Sequence, residues 1–312
     1  MRLLLAIWCG VLCLGAFKSY AQDTTVIWDA TNLNLPHVIL RSNENYKDIL
    51  ERIKNDTTFY KAFKNLRVIN YSAYNTILMR DKKGNIIASY QSKTRQTRKQ
   101  GCRSMTEENR QVSGDFFTRK GDYNYTTAKL YASLFFTKGA ICGEDNIVKG
   151  NAITTSDKKG LDKHREQLKM LFFNPGKKIP GIPFIGDKLD LYDERAHKYY
   201  SYRLDYIEYE GKWVYLFTIT PKNGSSKGEN MVVDEMATWF DPKDMRVLAR
   251  NYRLSYKAGV YDFDVQMEVK MMDVGGMLIP SVLRYKGNWD VVFQQRERGE
   301  FTATITNPSI EP

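Results

Sequence analysis

The sequence predicts a mainly β protein of the α+β class: a curled, half-open antiparallel β-barrel or sheet with two or three covering helices. Three observations lead there. Runs of alternating apolar and polar residues follow one another through the second half of the chain, with tight turns between them. Helical periodicity is confined to three stretches, all before residue 175. The strands are also one-sided. Tyr261, Phe263, Val265, Met267, Val269 and Met271 alternate with Asp262, Asp264, Gln266, Glu268 and Lys270, so one face is dry and the other wet. A sheet of many such strands must curl, close or pack to limit its edges, and a few helices can cover only one opening or one face.

Taken in order, Met1-Arg2, the apolar stretch Leu3 to Phe17 and the small residues of Ser19-Tyr20-Ala21 read as a signal peptide over 1–21, cleaved before Gln22. The apolar run is shorter than the roughly 20 residues of a membrane span, so the mature chain is expected to be soluble. Cys9 and Cys13 match a lipid-attachment motif poorly. Residues 22–42 form a polar, extended arm, and 43–312 a single β-rich domain with an insertion near 116–187. Ser42 and Asn43 cap a first helix on which Tyr46, Ile49, Leu50 and Ile53 share one face. Asp56 and Thr57 cap a second, shorter helix with Phe59, Tyr60 and Phe63 on its buried side. A third is expected over Leu161, His164, Leu168, Leu171 and Phe172, stopped at Asn174-Pro175-Gly176.

The remainder reads as strands. Leu66 to Met79 and Ile86 to Tyr90 flank a turn at Asp81-Lys82-Lys83-Gly84-Asn85, giving a hairpin. Tyr200 to Tyr206 and Trp213 to Ile219 flank Glu210-Gly211 in the same way. Further runs are Leu248 to Tyr256, Tyr261 to Met271, Met277 to Tyr285, Trp289 to Phe293 and Phe301 to Ile305.

The formal charge is +11, and the leader takes Arg2 and Lys18 with it, leaving 11 − 2 = +9. For an exported chain that charge suits an envelope surface, anionic lipid or acidic glycan and argues against nucleic acid, although scattered surface lysines alone would produce it. Once Cys9 and Cys13 leave, Cys102 and Cys142 remain, and an even pair in an oxidising compartment is expected to form a disulfide. Zinc would need further ligands, and His37, His164 and His197 lie in no zinc or nucleophile motif, so no metal, cofactor or catalytic residue is assigned. Asp262, Asp264 and Glu268 share a face that could take a hard cation, but such a ladder is ordinarily solvated surface. Asp241 and Asp244 are expected to form a turn.

Two candidate surfaces remain. Phe117, Tyr123, Tyr125, Tyr131 and Phe135, with Met267 and Met271, could line a pocket for an apolar ligand or equally form core. Lys93, Arg95, Arg98, Lys99 and Arg103 could meet an anionic surface, or protect an edge strand from aggregation by their charges.

Tyr200 to Pro221, Trp239-Phe240-Asp241-Pro242 and Tyr261-Asp262-Phe263-Asp264-Val265 resemble uncharacterised exported proteins of Bacteroidetes. More distantly they resemble the lipoprotein-carrier superfamily of LolA and LolB type, with Gly275-Gly276 as its Gly-rich turn. The resemblance implies a LolA-like half-open barrel with helices at Tyr46 to Phe63, and a periplasmic carrier of a lipid, lipoprotein or other apolar ligand. The alternative is a non-catalytic envelope scaffold docking a partner through the basic strand, and a hydrolase is the least favoured reading. The extra length, the insertion and the cysteine pair depart from that family's pattern.

Overall fold

The computed structural model describes residues 43–148, 175–177, 188–222, 231–258, 261–291 and 295–310. By its contacts the chain divides after Pro36, and every described residue belongs to the unit His37–Pro312. Helices α1 (Asn43–Lys54) and α2 (Thr58–Asn65) lead into β1 (Ile69–Arg80), β2 (Ile86–Lys99) and β3 (Cys102–Gly114). Helix α3 (Thr126–Phe135) and the two-residue β4 (Ile141–Cys142) follow. A meander then runs through β5 (Tyr200–Tyr209), β6 (Lys212–Pro221), β7 (Val233–Phe240), β8 (Val247–Ala258), β9 (Tyr261–Val274), β10 (Met277–Val291) and β11 (Glu297–Ile310).

All eleven strands of the described residues join one antiparallel sheet in the order β4-β3-β2-β1-β11-β10-β9-β8-β7-β6-β5. The first long strand lies against the last, which welds the N-terminal hairpins to the C-terminal meander. The sheet does not close: β5 forms one edge, and β4 pairs only Cys102 and Arg103 of β3 at the other. Because each neighbouring pair is rotated by about 20° in the same sense, so many strands cannot lie flat.

The register puts every odd-numbered residue of β1 from Ile69 to Met79 on the buried side, and the partners continue that face across the sheet. One transverse row runs Tyr90, Ile77, Phe301, Tyr285, Met267, Tyr252, Met236, Ile219 and Tyr202, from β2 through β1, β11 and on to β5. All but Tyr202 are nearly inaccessible. This inner face, with Phe59 and Phe63 of α2 and Tyr131 and Phe135 of α3, makes one continuous core. A small second cluster of Val214, Leu216, Ala237, Trp239 and Ala249 lies on the opposite, outer face.

The two N-terminal helices, the 81–85 turn and the one-sided strands match the expectation. Asp81 ties its turn by accepting from the Lys83 and Asn85 amides, and Asp241 and Asp244 do the same for Lys243 and Arg246. Elsewhere the elements differ. The runs expected at Met277 and at Trp289 are one strand, β10, because Pro280 sits at a register shift and Gly287 stays paired. Strand β3 escapes pattern reading because almost every residue in it is exposed, so no alternation marks it. The helix expected near Leu161 lies outside the described residues.

Candidate functional site

Helix α3 packs on the inner face over β1 and β11. Its first turn has no side-chain cap of its own. Glu297, from the start of β11, supplies one: its carboxylate accepts from the Thr126 and Thr127 amides at 2.7 and 2.8 Å and from the Thr127 hydroxyl at 2.8 Å. Gly299, two residues on, makes room for the approach, since a Cβ there would lie 2.6 Å from the Thr127 methyl. Tyr131 then reaches the sheet and donates to Asn75 Oδ1 at 2.6 Å.

Under α3 the inner face turns polar. Asn75 Nδ2 donates to Thr94 Oγ1 at 3.0 Å, and Gln96 Nε2 donates to the carbonyls of Leu66 and Ile69. Arg103 closes the series by donating to Gln96, Thr137 and Glu144. Burial, reinforced by the neighbouring hydroxyls of Tyr71, Tyr90 and Tyr123, pushes the Tyr131 hydroxyl well above its ordinary pKa, so it stays a donor.

A second polar centre lies under α2. Asp56 caps that helix by accepting from the Thr58 amide at 2.8 Å, and faces Arg250 of β8 at 3.4 Å. Both side chains are about 5 % exposed, at 5 % and 6 %. Arg250 also donates to Thr238 at 3.0 Å and lies over the Phe59 ring. Nearby, Lys177 sits 4.9 Å from the Tyr192 ring centroid, and burial lowers its pKa. These residues fix α2 and the 188–199 segment to the β7–β8 part of the sheet.

Phe117, Tyr123 and Tyr125 gather with Phe116 at ring separations of 5.1 to 6.1 Å and remain partly accessible. Tyr131 and Phe135 are buried, and the Tyr131 ring lies tilted against Phe301 at 4.7 Å. Phe301 stacks on Tyr285 at 4.4 Å, and Tyr285 is paired with Met267. The aromatic cluster and the methionines therefore belong to one band. Within it Met267 is 1 % exposed and packed, while Met271 is partly accessible at the end of the same face.

At the β5–β6 end that band comes to the surface. Leu204, Tyr206, Trp213 and Tyr215 continue the inner face by register from Phe217 and Phe240, which are buried. Tyr206 stacks on Trp213 at 5.2 Å and meets Tyr215 at 5.3 Å, yet Trp213 is 54 % exposed. In the sequence these residues mark only strand positions. Their partial exposure depends on which elements cover the face, and alternation does not reveal that.

The five basic residues do not form an edge or a common face. Strand β2 pairs with β1 and β3, so it is interior, and the edge reading is overturned. Its neighbour β3 is the edge, because the hairpin turns at Gln100-Gly101 and the chain pairs once more. Lys93, Arg95 and Lys99 point outward, while Arg98 and Arg103 pair with each other in register on the inner side. Arg103 is tied to Glu144. Cys102 and Cys142 are bonded across β3 and β4 and anchor the segment whose Asn146 reaches Asn65 of α2 at 2.8 Å.

The carboxylates of the β9 ladder are each matched by an arginine: Asp262 by Arg296, Asp264 by Arg253 and Glu268 by Arg284. His197 is exposed against the Tyr202 ring; His37 and His164 lie outside the described residues. Among the described residues no group of three or more His, Cys, Asp or Glu could hold a metal, and no helix is long and apolar enough to cross a membrane.

No protein-family model matches the chain, and no curated protein matches it. Among solved structures it is similar to a DUF1329 family protein from Desulfovibrio piger, at 9% identity over 81% of this chain and 90% of that one, with a TM-score of 0.24. It is also similar to a "putative outer membrane lipoprotein-sorting protein domain" from Vibrio parahaemolyticus, at 10% identity over 85% of this chain and 91% of that one, with a TM-score of 0.26. A lipoprotein-sorting domain is thus among its structural neighbours, whereas the resemblance to exported Bacteroidetes proteins gains no support. TM-scores this low carry no inference about function.

Proposed function

We propose that this protein is a non-catalytic carrier of the cell envelope, most naturally periplasmic, that holds an apolar guest such as a lipid or the acyl part of a lipoprotein. The observation that carries the reading is the inner face itself. One transverse row of it is apolar through nine strands in register, and the face continues past its covered part onto the partly accessible Leu204, Tyr206, Trp213 and Tyr215. An open run of aromatic side chains contiguous with a core is where an acyl chain gains most from leaving water. Burying about 400 Å² of guest would favour binding by roughly 10 kcal/mol before ordering costs. The sequence resemblance to lipoprotein carriers points the same way. No side chain in this band is assigned a chemical step.

The test is uptake of a fluorescent fatty acid and of a lipopeptide by delipidated protein, with native mass spectra of protein purified without detergent. Saturable uptake that Trp213→Ala and Tyr206→Ala weaken is expected. No uptake, together with no co-purifying lipid, would remove the proposal.

A further inference from the structure

On the outer face of the sheet, charge is balanced almost everywhere the strands are described. From β7 to β11 most ladder cations have a carboxylate beside them among the described residues, Lys257 and Arg298 being exceptions: Arg253 has Asp264 at 2.7 Å, Arg284 has Glu268 at 3.4 Å, and Lys270 reaches Glu210 at 2.7 Å. Glu300 is shared by Arg80 at 2.9 Å and Lys286 at 3.8 Å, and Arg296 lies between Asp262 and Asp290.

At the β1–β2–β3 corner three cations gather on a single strand. Lys93, Arg95 and Lys99 project from alternate positions of β2 on the outer face, while Ser92, Thr94 and Gln96 between them are buried on the inner one. Lys93 has a distant partner, Glu108 at 3.9 Å. Arg95 and Lys99 have no carboxylate partner among the described residues. Their register neighbours are Ser72, Thr106 and Cys102, none of them acidic. Beside them Tyr74 stands 53 % exposed with the Lys93 ammonium 5.8 Å from its ring centroid.

We propose that this corner docks the protein on an anionic lipid bilayer. Cations gathered on one strand of a largely neutralised face mark where an external anion completes the charge balance. The three project from one strand of a sheet face, as contact with an extended charged surface requires. An exposed tyrosine among lysine and arginine suits the headgroup layer, where amphipathic rings concentrate. The docking is electrostatic, reversible and sensitive to salt. It does not depend on the carrier reading.

The experiment is co-sedimentation of the purified protein with phosphatidylcholine vesicles, with and without one third phosphatidylglycerol, at low salt, where the Debye length is about 30 Å. Binding to the anionic vesicles only, reversed by added salt, is expected. Each cation near such a surface changes partitioning about fivefold, so Arg95→Glu with Lys99→Glu should reduce it by about 25-fold or more. Charge reversal at Lys212 and Lys243, away from the corner, should have little effect. Equal binding by the double variant, with an unchanged circular dichroism melt, would overturn the proposal, as would a preference for a soluble polyanion such as heparin over the vesicles. Fatty-acid uptake without vesicles separates the two readings. Loss of docking with uptake intact leaves the carrier reading standing, and absent uptake with intact docking removes only that reading.

Discussion

Neither Asp56 nor Arg250 could sit alone where the fold puts it. Each is removed from water, and each answers the other's charge while making one further hydrogen bond, Asp56 to Thr58 and Arg250 to Thr238. Removing one partner leaves the other as an uncompensated buried ion, so Arg250→Met is expected to lower stability to urea by about 3–5 kcal/mol. Replacing both at once, Asp56→Leu with Arg250→Met, should recover much of that loss; a double variant as unstable as the single one would show the pair is not the cause. Glu235 of β7 makes a pH-dependent contribution of the opposite kind. Burial raises its pKa above the ordinary 4.5, so the folded chain holds that proton more tightly than the unfolded one. Stability is therefore lost as pH rises from 4.5 through the raised value. Glu235→Gln, which cannot ionise, should flatten this fall in the thermal midpoint, and an unchanged pH slope would contradict it.

At the scale of elements, α3 depends on a strand distant in sequence. Its N-terminal amides are satisfied by Glu297, which also sets the helix over Gly299. Glu297→Ala is expected to cost about 1–2 kcal/mol, with faster amide exchange in residues 126–135; protection unchanged across the helix would show another anchor holds it. The same elements mark the limit of what the sequence discloses. Helices α1 and α2 and strands β5, β6, β8, β9 and β11 are legible because one face of each is dry. Helix α3 carries a helical signal too, with Leu130 and Leu134, and Tyr131 and Phe135, each four apart, but its aromatic density reads first as a pocket lining. Strand β3 gives no signal, since neither of its faces is buried. Pairs such as Asp56 and Arg250, 194 residues apart, cannot be read from spacing at all.

At the largest scale, the described residues form an eleven-stranded half-open sheet whose inner face is packed beneath α2 and α3 and accessible at its β5–β6 end. Inner and outer faces divide the work: the inner collects apolar and aromatic side chains, and the outer carries a largely neutralised charge ladder with three cations gathered at one corner. Trp213 and Trp239 report on these two faces separately, the first on the inner and accessible, the second buried in the outer cluster. Side chains on opposite faces of a sheet point away from each other across the backbone, so a contact quencher can tell them apart. The most direct test is therefore titration with a brominated fatty acid of two variants, one keeping only Trp213 and the other only Trp239. A guest on the inner face should quench Trp213 and shift its emission to the blue while leaving Trp239 bright; equal quenching of both, or of neither, would contradict it.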